Sequence, residues 1–561
     1  MNILEIKNLT FTYPGATGPT LNQVELQIEK GDFIAIVGNN GCGKSTLCKV
    51  MNGLIPHFIT GHFDGTVLAD GVDTKTVEIG DLAKIVGYVY QDFENQIVRP
   101  TVLDDASYGC MNYAMRDYLE RGRQALKNCG LDGKEEEYIW QLSGGQTHLL
   151  ALAGAAALEP EVLVLDEPIA QLDPKHADLI YGVLRDLNER LGKTVIVIEH
   201  HTEYIADYCK HVVLLKDGHV EWMLPTKEAL DRVEELRESN IFPPQVTLAA
   251  YSLKNQGKLQ KNQILPSTIS DGKEVFKNLI FTNPQIIPNR SKVGEACVNF
   301  RDVSVAYPSV KGEPKKIYDH LNLEIHKGEK IALIGSNGAG KSTMMKLMIG
   351  LMKPNKGSVF LNGMSVKEKK PEQLSQYISM VYQNPEDMFI KDSIEADIAY
   401  AMQVHKVEKW EQKTKDLLER FRLTELKHRD GRLLSGGQMR RASLAIGVAM
   451  NPGILLLDEP TANLDIATRK EIMSTLKDMA DVTDTVMIAT HDMQLVSEWA
   501  ERIIVLYEGN VIADGSRNEI FGNREVVEKV GIRPPEIFSM GKALHEDAFC
   551  YTVNEFLQSF V

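Results

Sequence analysis

One pentapeptide occurs twice, and that repetition restricts the fold more than any other feature. Leu142-Ser143-Gly144-Gly145-Gln146 returns as Leu434-Ser435-Gly436-Gly437-Gln438, each followed by an apolar run tipped with acid. Other landmarks keep the same spacing. Lys341 follows Lys44 by 297 positions, Gln383 follows Gln91 by 292, Asp458 follows Asp166 by 292 and His491 follows His200 by 291. So steady an offset records a duplication with small loop insertions. A chain of 561 residues is too long for a single core, and the repeat divides it into two large halves. Within the pentapeptide, a serine and two glycines opening an apolar helix present backbone N–H groups, a hydroxyl and the positive helix end to an anion. The chain therefore carries a phosphate reader in duplicate.

A second phosphate-binding pattern precedes each copy. Phe33-Ile34-Ala35-Ile36-Val37 is continuously apolar, which predicts a buried strand, and it runs into Gly38-Asn39-Asn40-Gly41-Cys42-Gly43-Lys44-Ser45-Thr46. Strand, glycine loop and helix are the context in which G-x-x-x-x-G-K-S is specific. Glycines let backbone N–H groups close on phosphates, Lys44 can reach the β and γ groups, and Ser45 can ligate magnesium. Gly335-Ser336-Asn337-Gly338-Ala339-Gly340-Lys341-Ser342-Thr343 repeats the pattern.

Four further strands are predicted in the first half. Ile3 to Tyr13 opens it and is closed by Pro14-Gly15, Val86 to Tyr90 ends at Gln91, and Thr194 to Ile198 presents Glu199-His200-His201. Asp92 to Gly133 reads as mostly helical and leads to the first pentapeptide. Val162 to Leu165 is a fully buried strand by composition and ends in Asp166-Glu167. Two carboxylates at a strand tip beside a phosphate loop divide the labour, Asp166 holding Mg²⁺ and Glu167 polarising water. Asp458, Glu459 and His491 take the same places in the second half. Apolar strands separated by helices, with the chemistry at their carboxyl ends, predict an α/β fold.

Composition narrows the function classes. A net charge of −15 disfavours a surface built to neutralise nucleic-acid phosphates, so no nucleic acid is expected as partner. The seven cysteines form no C-x-x-C pair, which argues against zinc or iron–sulfur modules and fits a reducing cytosol. His57 and His62 have no third ligand nearby in sequence, and Cys42 reads as a packing residue of its loop. The longest apolar stretch, Leu149 to Leu158, is too short to span a bilayer, and the first residues lack the order of a signal peptide. If the chain serves a membrane machine, the membrane part is another chain.

The pentapeptide and the glycine loops together resemble the signature and P-loop of ATP-binding-cassette (ABC) ATPases. The resemblance covers nearly the whole chain. It implies two P-loop cassettes, each a mixed, mainly parallel sheet with a helical subdomain, facing head to tail around two composite ATP sites. Site one would use Tyr13 against adenine, Gly38 to Thr46 on the phosphates, Ser45, Gln91 and Asp166 at Mg²⁺, Glu167 as base, His200 at the γ-phosphate, and Ser435, Gly436, Gly437 and Gln438 opposite. Site two would use Tyr307, Gly335 to Thr343, Ser342, Gln383, Asp458, Glu459 and His491, with Ser143, Gly144, Gly145 and Gln146 opposite. The expected domains are 1–240 and 297–525, with an extension and linker at 241–296 that reads as a coiled tether and a final extension at 526–561.

Residues beyond the two glutamines sharpen the resemblance. Gln91-Asp92-Phe93-Glu94-Asn95-Gln96 and Gln383-Asn384-Pro385-Glu386-Asp387 resemble the ATPases of energy-coupling-factor (ECF) importers of vitamins and transition-metal ions. That family implies a transmembrane coupling subunit bearing arginines, a separate membrane substrate-binding subunit, and a peripheral ATPase on the cytoplasmic face of the membrane. Asp92, Glu94, Glu386 and Asp387 suit such arginines. The alternative is a ribosome-associated translation or resistance factor, which would carry a long charged helical hairpin between cassettes. Pro266, Pro284 and Pro288 and the lack of a helical stripe argue against one. The copies differ after the signature, where Thr147-His148-Leu149 stands against Met439-Arg440-Arg441.

Overall fold

Phe33–Val37 (β3), Thr194–Ile198 (β8) and Val162–Asp166 (β7) lie side by side as parallel strands, and every residue of the three is buried. The computed structural model describes the whole chain except residues 171, 261, 283–293, 308–313, 463–465 and 479–482. Alternate side chains of these strands feed two apolar layers. Phe33, Ala35, Val37, Leu163, Leu165, Val195 and Val197 face one, and Ile34, Ile36, Val162, Val164, Ile196 and Ile198 face the other. Burial on both sides explains why the strands read as unbroken apolar runs. Each such aliphatic side chain contributes about 1.5–3 kcal/mol, so a charge at Ile36 would break the sheet.

The first sheet is completed by His211–Lys216 (β9), His219–Pro225 (β10) and Val86–Val89 (β6), in the order β10-β9-β3-β8-β7-β6. All neighbours are parallel except β9 and β10. A separate antiparallel sheet forms from Asn2–Thr12 (β1), Leu21–Glu29 (β2), His62–Ala69 (β4) and Val72–Asp73 (β5). The central register sets Asp166 opposite Ile198 and Ile36 opposite Ile198, so the tips of β3, β7 and β8 end level with one another. The second half repeats both sheets. Lys330–Gly335 (β13), Ile454–Asp458 (β17) and Thr485–Ala489 (β18) sit at the centre of the order β16-β17-β18-β13-β19-β20, with Ile378–Val381 as β16, Arg502–Tyr507 as β19 and Asn510–Gly515 as β20.

The chain divides into two units. One comprises residues Met1–Phe281 with Ser539–Ala548 and Val553–Val561, and the other Thr282–Phe538 with Phe549–Thr552. The expected coil after Ile241 needs correction, because Gln245–Asn255 and Ile269–Phe276 are helices. Val246, Ala249, Ala250 and Leu253 recur at helical spacing and are buried, and this apolar face outweighs the Lys- and Asn-rich composition. Pro244 stands at the N-cap of the first of these helices, where its missing N–H removes no intrahelical bond. In the same unit, Phe276 packs on Phe556 of the helix Val553–Ser559, and Phe281 bridges Phe560. The rest of the expected tether, with Pro284 and Pro288, lies outside the described residues. Among the described residues, no helix is long and apolar enough to cross a membrane.

Candidate active site

The glycine loop after β3 closes on its own lysine. Lys44 is buried and donates from Nζ to the carbonyls of Gly38 at 2.8 Å and Asn39 at 2.9 Å. Lys341 does the same to Gly335 at 2.7 Å and Ser336 at 3.3 Å. The helices Lys44–Met51 and Lys341–Met348 begin at left-handed Gly43 and Gly340 with no side-chain cap, so their first N–H groups point into the loop. That is the arrangement by which a helix start holds phosphate. Cys42 is buried in this loop, and burial pushes its thiol up, which leaves it neutral. Tyr13 and Tyr307 reach the same helices, their hydroxyls 3.1 Å from Thr46 Oγ1 and 3.3 Å from Thr343 Oγ1.

The level strand tips place the acids beside this loop. Burial raises the Asp166 carboxyl above its ordinary value, the Ser45 hydroxyl bond lowers it and the Glu167 charge raises it again. Asp458 is raised in the same way, with Ser342 and Glu459 as its neighbours. A carboxylate so placed gains from a nearby cation. Glu167 and Glu459 adopt left-handed backbone, φ +51° and +46°, which side chains other than glycine rarely take. Their backbone N–H groups bond Ile198 and Ala489 carbonyls of the adjacent strands, which holds the strain in place. His200 Nε2 lies 3.2 Å from Glu167 Oε1, His491 Nδ1 3.0 Å from Glu459 Oε1, and Gln91 Nε2 donates to Glu167 Oε2 at 2.8 Å. Burial would lower the His491 imidazole, but the Glu459 charge and hydrogen bond outweigh it and hold it raised.

Each half thus gathers its tyrosine, glycine loop, acids and histidine, and the first half its glutamine by side chain as well. The signatures stand apart from these clusters in their bonding. Ser143 and Gln146 cap one another, Ser143 Oγ accepting from Gln146 N at 3.4 Å and Gln146 Oε1 accepting from Ser143 N at 3.0 Å. Ser435 and Gln438 form the same box. Gly144 and Gly436 face open space, whereas a Cβ at Gly145 would stand 2.1 Å from His176 Cδ2. The first glycine leaves an exposed helix end and the second permits close packing.

Several participants escaped sequence reasoning. Tyr88 donates to Asp166 Oδ2 at 3.2 Å. Burial alone would raise the Glu199 carboxyl, yet bonds from His201 and Tyr181 hold it below its ordinary value and so fix the strand tip that carries His200. Asp105 Oδ1 accepts from Val98 and Arg99 N, and Asp397 Oδ1 from Ile390 and Lys391 N, pinning the chain after each glutamine. Asp105 and Asp397 stand in the sequence, but their backbone partners need the fold.

His148 is buried on the first signature helix, Gly144–Ala156, with His176 nearby, and burial lowers it to about 4. Its sign is that of a neutral base. Stability is intact above pH 6.5 and is lost as pH falls toward 4, because the unfolded chain takes up the proton first; the loss amounts to about 3 kcal/mol. Thermal unfolding measured from pH 7 to 4 is expected to show a steeper fall in midpoint for the native chain than for His148→Gln. Parallel curves would detach the effect from His148.

A family model described as "ABC transporter" matches residues 21–170 and 318–462. A Methanosarcina acetivorans protein named as an ABC transporter ATP-binding protein is 30% identical, covering 98% of this chain and 90% of its own length. One from Caldanaerobacter subterraneus subsp. tengcongensis is 31% identical, covering 96% of each. Among solved structures, cbiO1 from Clostridium perfringens, described as part of the ABC transporter complex cbiONQ, is 32% identical over 43% of this chain and 94% of its own, with a TM-score of 0.38.

Proposed function

The chain belongs to the ABC transporter family as a two-cassette ATPase, and from that premise we propose that it drives an energy-coupling-factor type importer of a vitamin or transition-metal ion. In this reading it works on the cytoplasmic face of the membrane through a transmembrane coupling subunit and a separate substrate-binding subunit. The observation that supports it is a surface present in both halves. Asp92 and Glu94 are exposed at the turn Phe93–Gln96, and Glu386 and Asp387 at the turn Pro385–Met388. Val98 and Ile390, each 60% exposed, stand just beyond. Acid beside exposed aliphatic surface fits a basic segment with an apolar face. The ribosomal alternative has less support, because the helices described between the cassettes are only 11 and 8 residues long.

At each site ATP phosphates would lie in the glycine loop and take the lysine ammonium. Mg²⁺ fits the oxygen donors present, since Ser45 bonds Asp166 and Ser342 bonds Asp458. These residues with Gln91 and Gln383 would hold it, and its charge would neutralise that of the phosphates. Glu167 and Glu459 take the proton of the attacking water, and His200 and His491 hold those carboxylates in place.

Charge reversal tests the docking reading. Asp92→Lys/Glu94→Lys is expected to reduce co-purification with the membrane subunits by about tenfold or more, with ATP binding unchanged. Undiminished co-purification would overturn it.

A further inference from the structure

The halves differ at one buried point between the signature helix and the glutamine loop. Arg440, 2% exposed on the helix Gly436–Val448, donates to the backbone carbonyl of Tyr382 at 2.9 Å and of Gln383 at 2.7 Å. Burial brings its guanidinium down to about 10, while the charges of Asp458 and Glu459 act in the opposite sense. One side chain joins loop and helix.

The first half has His148 at that place, five residues after Ser143 as Arg440 is after Ser435. An imidazole cannot span two carbonyls. Its Nδ1 lies 3.1 Å from the Gly144 carbonyl of its own helix, and its Nε2 is buried with no hydrogen-bond partner. The ring packs instead on Phe93 at 3.5 Å between centroids, where the second half has Pro385. The loop is tied by Gln96, which accepts from Tyr90 N at 3.2 Å and donates to the Ala151 carbonyl at 3.1 Å; Met388 stands in its place in the second half.

We propose that Arg440 is a positioning residue that locks the Gln383 loop to the second signature helix, whereas the Gln96 amide holds the Gln91 loop more weakly, and that the two ATP sites are unequal for this reason. Charge-assisted hydrogen bonds are roughly twice as strong as neutral ones, and a buried guanidinium cannot leave its acceptors without a large desolvation penalty. The second loop therefore moves with its helix as one body, while the first can shift against its helix. This rests on the two-site reading and ranks the sites.

The experiment measures kcat and KM for ATP in chains that keep one base. In the Glu167→Gln chain, Arg440→His is expected to lower kcat by about tenfold or more with KM within about twofold, and Arg440→Lys to recover at least half of the loss. In the Glu459→Gln chain, Gln96→Met is expected to lower kcat by about threefold or less, and Phe93→Pro/His148→Arg to make turnover insensitive to Gln96→Met. Equal losses from Arg440→His and Gln96→Met, a loss confined to KM, or failure of Arg440→Lys to recover activity would overturn the proposal. The turnover of the two parent chains tests the two-site reading by itself. If one parent is silent, the same variants in the chain with both bases carry the test, with the same rank order expected.

Discussion

Glu167→Gln/Glu459→Gln is expected to hydrolyse ATP at least about 100-fold more slowly than the native chain and to bind ATP undiminished. The substitution keeps size and leaves Lys44, Lys341 and the glycine loops in place, so binding groups are untouched. What disappears is the proton acceptor at each strand tip whose backbone is held in a strained, left-handed conformation against the neighbouring strand. His200 and His491 would lose the charged partner now 3.2 and 3.0 Å away. Each single variant removes one base and slows turnover. Phosphate release and nucleotide binding measured on the same preparations separate the two effects, and a double variant that keeps its rate would place the base elsewhere.

Gly38→Ala and Gly335→Ala are expected to weaken ATP binding by about tenfold to 100-fold in their own halves. A Cβ at Gly38 would stand 2.2 Å from the Leu215 carbonyl oxygen, and one at Gly335 would stand 2.4 Å from that of Leu506. Both obstacles are backbone of a strand paired on both sides, which cannot turn aside as a side chain can. The loop has to give way, and the carbonyls of these same glycines hold Lys44 and Lys341. Overpacking of this kind costs about 1–3 kcal/mol. Gly41→Ala and Gly338→Ala, where the added carbon meets nothing within 4 Å, separate this clash from a general intolerance of the loop, although their φ values of +78° and +81° add strain of their own. Equal affinity in Gly38→Ala and the native chain would remove the steric argument.

The strand tips were legible in sequence because strands buried on both faces must be apolar throughout, so that Asp166-Glu167 and Glu199-His200 stand out where the runs end. The glycine loops were legible because few residue patterns satisfy a helix start and an anion together. Other features need the tertiary fold. The helix Gln245–Asn255 has its apolar spacing in plain view at Val246, Ala249, Ala250 and Leu253, but its worth depends on the surface that covers it. The Arg440 tie is less accessible still. Its acceptors are backbone carbonyls 58 and 57 residues away, and no side-chain pattern records a carbonyl. The change from Arg440 to His148 is visible in the repeat, yet only the structure shows that His148 packs on Phe93, the position held by Pro385 in the second half.

The most direct test of the transport reading uses the silenced Glu167→Gln/Glu459→Gln chain, tagged and loaded with ATP, with the partners it retains from native membranes identified by mass spectrometry. The expected result is a polytopic membrane protein together with a second, hydrophobic substrate-binding subunit, both lost when Asp92 and Glu94 are reversed in charge. Recovery of ribosomal proteins in their place would contradict the account and make this tandem ATPase a translation factor.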